Sequence, residues 1–238
     1  MAVIVMIDVE CIGNPNGMVH DNESVAYGQF ELGWAIAEYA NGQWRRFSGT
    51  TPMPLDIDVL RLGEDSFNER QFVDAVENGD TSALPISHQA TECIKWWLGQ
   101  GRNISLAASL DSAFKTPYAD FMYDVDLRLA PALRQADSVW ASEIPLDLSM
   151  LSAMGYIQYN KKRCLRTLRE TGLLPLIPVS SERRHHAETD AVWQLDQLMH
   201  NMYHRSNPSS RAMLRSVAGI GNTPSPSREF FINKLPTE

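Results

Sequence analysis

Val3-Ile4-Val5-Met6-Ile7-Asp8-Val9-Glu10 sets an unbroken apolar run against two acids placed two residues apart. The run predicts a strand over residues 3–9, anchored in a core by its neighbours. Side chains i and i+2 of a strand share a face, so the carboxylates of Asp8 and Glu10 project together from its end. Two anions held that close repel each other. Hard divalent cations such as Mg²⁺ or Mn²⁺ take oxygen ligands and cancel the repulsion. A strand that has simply run out into solvent carries the same two residues at no cost, so the pair alone leaves both readings open.

A second acidic element lies far down the chain, in His185-His186-Ala187-Glu188-Thr189-Asp190-Ala191. Ala191, Val192, Leu195, Leu198, Met199 and Met202 follow at spacings of mostly three or four, which predicts a helix over 187–203. That helix gives Asp190 a rigid mount from which to complete a metal cluster with Asp8 and Glu10. His185, near the helix start, is a residue type suited to taking a proton from a water at neutral pH. His186, four residues before Asp190, is closer to its face, and spacing alone does not choose between the two histidines. A charged, solvated first turn, in which the helix dipole favours acids such as Glu188, explains the same residues without a metal.

These motifs together resemble the DEDDh family of 3′-to-5′ exonucleases, especially its small phage and bacterial branch. The family's first motif, hydrophobic-Asp-x-Glu, is matched by Ile7-Asp8-Val9-Glu10, with Gly13 following. Its last motif, His-x-Ala-x-x-Asp-Ala, is matched by His185, Ala187, Asp190 and Ala191, which selects His185 over His186. Between them the family has an Asp at a helix start after a strand, and Asp147 in Val139–Leu151 stands in that place. Here Pro145 and Leu146 precede it instead of the family's usual aromatic. Asp111, Asp120, Asp124, Asp126 and Asp137 are rival acids, with Asp111 foremost. Segments 93–98 and 162–168 also look like landmarks of that branch, and the resemblance spans about residues 3–202.

The resemblance implies a ribonuclease H-like α/β fold, a mixed sheet flanked by helices. It further implies two Mg²⁺ or Mn²⁺ ions held by Asp8, Glu10, Asp147 and Asp190, with His185 as general base. The substrate would be a DNA or RNA 3′ end, cut to release nucleoside 5′-monophosphates. Two other classes stay open: a relative that binds nucleic acid or protein without catalysis, and a phosphoesterase for nucleotides and very short oligonucleotides. The second would lose activity as the strand lengthens.

The periodicity and turn signals supply the remaining elements. Near-alternation from Phe30 to Glu38 predicts a strand over 28–38, and Asn41-Gly42 a hairpin into a strand over 44–49. Helices are expected at 55–61, 69–77, 89–98, 126–134, 147–154 and 161–170, and a strand at 137–141. With 44% hydrophobic residues, the chain suffices for one compact domain, which the resemblance makes an exonuclease domain over 1–204. Residues 205–238 read as a surface-wrapping or partly mobile tail, since 205–227 is rich in Ser, Pro, Asn and Gly. Phe230, Phe231, Ile232 and Leu235 re-anchor its end on the body or on a second subunit, which leaves a homodimer open.

Twenty-one Lys and Arg against 29 Asp and Glu give a net charge of −8, which disfavours a broad nucleic-acid sleeve with many phosphate contacts. An enzyme that holds a strand end needs few of them. The basic residues are uneven: Lys161, Lys162, Arg163, Arg166 and Arg169 cluster, with Arg183 and Arg184 just before the histidines. This cluster is either a phosphate-guiding edge or an ordinary solvated helix face. Trp96 and Trp97 fit packing better than base stacking. Cys11, Cys93 and Cys164 match neither a disulfide framework nor a zinc site. A reducing cytoplasm is the expected compartment, and no early segment is apolar enough for a membrane.

Overall fold

The computed structural model describes residues 1–12, 28–55, 69–82, 91, 94, 95, 98, 103–142, 148–175 and 186–232. Its elements are β1 (Ala2–Ile12), β2 (Gly28–Ala40), β3 (Gln43–Pro52), α1 (Glu69–Asn78), α2 (Asn103–Lys115) and α3 (Tyr118–Asp124). A π-helical turn (Val125–Leu129) leads into α4 (Ala130–Gln135), followed by β4 (Ser138–Ala141) and α5 (Ser149–Ala153). The chain continues through β5 (Lys162–Cys164), α6 (Leu165–Glu170), α7 (Ala187–His204) and α8 (Pro208–Val217).

The five strands form one sheet in the order β3-β2-β1-β4-β5. Asn41 and Gly42 both have positive φ, 52° and 82°, so β2 and β3 are joined by the two-residue turn that suits an antiparallel hairpin. β4 runs parallel to β1, pairing Ile4 with Ser138 and Ile7 with Ala141, and β5 runs parallel to β4. A mixed five-stranded sheet flanked by helices is the α/β topology of ribonuclease H-like folds. The apolar run is its central strand, which explains why Val3, Ile4, Val5, Met6 and Ile7 are all buried.

By contacts the chain divides into two units, residues 1–8, 33–50 and 124–238, and residues 9–32 and 51–123. In the first, Ala2, Ile4 and Met6 of β1, with Ala35 and Ala37 of β2, belong to one core cluster with Ala191, Leu195, Leu198 and Met202 of α7. The even-numbered residues of β1 therefore face α7. Trp140 joins that cluster and satisfies its indole on Ser138 Oγ at 2.8 Å, while Ser138 Oγ donates to Ala218 O at 2.9 Å. In the second unit, Phe72, Val73 and Val76 of α1 pack with Leu106 and Leu110 of α2 and with Phe30.

Several sequence expectations change. The strand read over 3–9 extends to Ile12, so Asp8 and Glu10 lie within it and not past its end. The helix expected over 161–170 starts only at Leu165, because Lys162–Cys164 extends beside β4. A three-residue strand is too short to display a period of two. Helices α2 and α3 were not anticipated, and the 126–134 helix opens with the π-helical turn. The stretch rich in Ser, Pro and Asn holds α8, whose start is set by Asn207: its side chain accepts from Ser209 N at 2.9 Å and Ser210 N at 3.3 Å, with Pro208 in the first turn. Leu214 of α8 and Phe230 are buried in the same core as α7. The strands at 28–40, 43–52 and 138–141 and the helices at 69–78, 149–153 and 187–204 stand close to where the pattern put them. Thr91, Ile94, Lys95 and Leu98 are helical, as expected, while the helix expected at 55–61 falls almost wholly outside the described residues.

Candidate metal centre

Because Asp8 and Glu10 continue the even-numbered row of β1, they lie on the face that meets α7. The first turn of α7 brings Asp190 to them. Its start is set by His186, whose extended backbone (φ −113°, ψ 116°) precedes the helix and whose carbonyl accepts from Asp190 N at 2.8 Å. Two small residues allow the approach. Ala187 is fully buried, and Gly33 of β2 lies so close to it that a Cβ there would stand 1.9 Å from the Ala187 carbonyl carbon and 2.2 Å from Glu188 N. Only a residue without a Cβ fits that contact. Ser48 of β3 also ties the turn down, donating to Glu188 Oε1 at 2.7 Å.

Asp8, Glu10 and Asp190 each offer a carboxylate oxygen, and the three oxygens lie within 4.8 Å of one another. Among the described residues this is the one group of three or more candidate ligands gathered so closely. Glu10 is buried, and Asp8 and Asp190 are half-buried. Three carboxylates at that separation and burial repel strongly when all are ionised. An all-oxygen, acceptor-only donor set suits Mg²⁺, Mn²⁺ or Ca²⁺ and not the softer metals that seek thiolate or imidazole. The residues present therefore fit a hard divalent cation.

Gln194, which sequence reasoning passed over, completes the surroundings. It lies one turn beyond Asp190 on α7, is buried, and its Nε2 donates to Asp8 Oδ1 at 2.9 Å. Its signal in the sequence is a polar residue at Asp190+4, on a row of α7 that Gln197 and Asn201 continue with further buried polar side chains.

Asp147 and His185 lie outside the described residues, as do Arg183, Arg184, Trp96 and Trp97. Strand β4 ends with Ala141 opposite Ile7, one residue before Asp8 in β1. Four of the five rival acids have other engagements. Asp111 pairs with Lys115 at 2.5 Å, Asp124 with Arg128 at 3.2 Å, and Asp126 accepts from Tyr156 Oη at 2.7 Å. Asp137 caps the start of β1, accepting from Val3 N at 2.8 Å.

The basic cluster is split by β5. Lys162 pairs with Val139, and Val139 with Val5, so Lys161 and Lys162 lie well back from Asp8 along the strand direction. The Lys162 ammonium sits 5.6 Å from the ring centroid of exposed Tyr159. Arg163 is engaged by backbone carbonyls: Nε donates to Val217 O at 3.0 Å and Nη1 to Asn160 O at 2.7 Å. Arg166 follows Cys164, which pairs with Ala141, and so stands at the acidic end of the sheet; its Nε meets Glu170 Oε1 at 2.9 Å.

Comparison with family models, curated proteins and solved structures found no match. Among the described residues, no helix is long and apolar enough to cross a membrane. The ribonuclease H-like sheet and the acidic cluster are consistent with a metal-dependent hydrolase of nuclease type.

Proposed function

We propose that the chain is a metal-dependent 3′-to-5′ exonuclease of DEDDh type, releasing nucleoside 5′-monophosphates from single-stranded or overhanging ends. The observation that carries this reading is the convergence of Asp8, Glu10 and Asp190 oxygens within 4.8 Å, on an arrangement of strand and helix that matches the first and last motifs of that family. Asp147 would join these three in holding two divalent cations. When bound, Mg²⁺ or Mn²⁺ supplies Lewis-acid polarisation of the phosphodiester and neutralises charge that develops at the leaving 3′-oxygen.

The remaining work falls to the chain's own residues. The carboxylates fix the cation positions and, being acceptors only, repel the phosphate unless cations intervene, so binding of substrate is made conditional on metal. His185 takes the proton of the attacking water. Of Lys161, Lys162, Arg163 and Arg166, the basic residues suggested for phosphate contact, Arg166 at the acidic end of the sheet is the one that would meet a phosphate at the carboxylates. Lys161 and Lys162 could meet only phosphates farther along the strand. The net charge of −8 favours grip on a frayed or single strand over wrapping of duplex, which demands many phosphate contacts. The partners are therefore DNA or RNA 3′ ends.

The test uses 5′-labelled DNA and RNA strands, single and annealed, with Mn²⁺ and the full chain. Stepwise shortening from the 3′ end is expected, faster on single strands than on blunt duplex, and abolished by Asp8→Ala in a protein that remains folded. Wild-type turnover in Asp8→Ala would overturn the metal assignment. Cleavage confined to dinucleotides would favour the phosphoesterase class instead.

A further inference from the structure

We infer that Gln194 is a positioning residue of the carboxylate centre, tying Asp8 to α7 and so fixing the orientation in which its carboxylate meets a cation. The inference rests on the reading of Asp8, Glu10 and Asp190 as a cation site. Gln194 Nε2 donates to Asp8 Oδ1 at 2.9 Å across 186 residues of sequence. An ionised carboxylate only accepts, so the amide must turn its N–H group toward Asp8, and its carbonyl faces elsewhere. There Gln194 Oε1 is buried and accepts no hydrogen bond from the described residues.

A buried carbonyl without a donor is a cost to folding, and an apolar side chain of the same length would fill the space between α7 and β1 without it. Packing therefore does not explain a glutamine at this position. The contact with Asp8 does. A neutral donor is also the one kind that orients a carboxylate without cancelling its charge. Lys or Arg would pair with Asp8 and compete with the cation, whereas Glu would add a fourth anion to three already within 4.8 Å. Groups that orient metal-binding carboxylates in this way typically change affinity or activity about 10–100-fold when removed.

The experiment is calorimetric titration of Mn²⁺ into the EDTA-stripped full chain, for wild type, Gln194→Met and Gln194→Ala. Both variants are expected to raise the Mn²⁺ Kd by about 10–100-fold. In strand cleavage the Mn²⁺ needed for half-maximal rate should rise by the same factor, with the strand KM at saturating Mn²⁺ unchanged. A residue that only packs would alter the melting temperature and leave the Mn²⁺ Kd in place, and that result overturns the inference. Should Gln194→Met fail to fold, Gln194→Ala keeps a good helix former at the position. A measurement without substitution serves too: the Gln194 side-chain amide signals of ¹⁵N-labelled wild type should shift as Mg²⁺ binds, and signals unmoved by bound Mg²⁺ overturn the proposal. Absence of Mn²⁺ uptake by wild type would overturn the cation site and this role together. Unchanged uptake in both variants would overturn this role alone. Uptake that weakens in the variants, without any strand cleavage by wild type, would support the role and remove the exonuclease reading.

Discussion

Asp190 and Asp196 stand on the same helix, and their surroundings are opposite. Asp196 is fully buried and has its counter-ion within the chain, Arg46 of β3 at 2.6 Å, whose guanidinium also lies 5.0 Å from the ring centroid of Phe230. Asp190 is half-buried and is gathered with two further carboxylates. The first acid is compensated by the fold. The second is placed where the fold makes its charge more costly, and that is where an external cation has something to contribute. A buried acid beside an arginine is thus a structural statement, whereas a buried acid beside other acids is a functional one.

The largest expected effect that sharpens the contrast is at the compensated end. Asp196→Ala leaves the Arg46 guanidinium buried without its partner and is expected to cost about 3–5 kcal/mol in urea unfolding, with or without divalent cation. A loss below about 1 kcal/mol would show that Arg46 finds solvent or another acceptor, and the two acids would no longer be opposites.

A smaller effect is expected where α7 meets β2. Gly33→Ala sets a methyl group 1.9 Å from the Ala187 carbonyl carbon, so the first turn of α7 must move. The expected loss is about 1–3 kcal/mol, measured by denaturant unfolding. It should be accompanied by weaker Mn²⁺ binding, because Asp190 rides on the turn that is displaced. Lost stability with intact Mn²⁺ affinity would mean that the turn and the acids are independent.

Much of this was legible in the sequence because it depends on local period. Alternation in β1 put Asp8 and Glu10 on one face, and the apolar spacing of α7 gave Asp190 its mount. The family motif supplied the long-range link between them, and the oxygens do converge. What escaped has physical reasons. Gln194 has a role only because α7 crosses β1, a relation that no local window contains. β5 is three residues long and strongly basic, so it read as part of a helix. α8 was hidden by turn-forming composition, although Asn207-Pro208 is a helix-start signal in plain sight. Phe230, expected to anchor the end of the chain, is buried against the core, whereas Ile232 is 60% exposed.

The most direct test of the central claim, that Asp8, Glu10 and Asp190 form a cation site, is thermal unfolding of wild type and Asp190→Asn, each in EDTA and in Mn²⁺ at about 100 times the wild-type Kd. In EDTA the variant should melt at or above wild type, because one of three repelling charges is gone. Mn²⁺ should add about 2.7 kcal/mol to wild type, or roughly 5–10 °C in melting temperature, and little to the variant. Equal Mn²⁺ shifts in the two proteins, or an Asp190→Asn protein clearly less stable than wild type in EDTA, would contradict it.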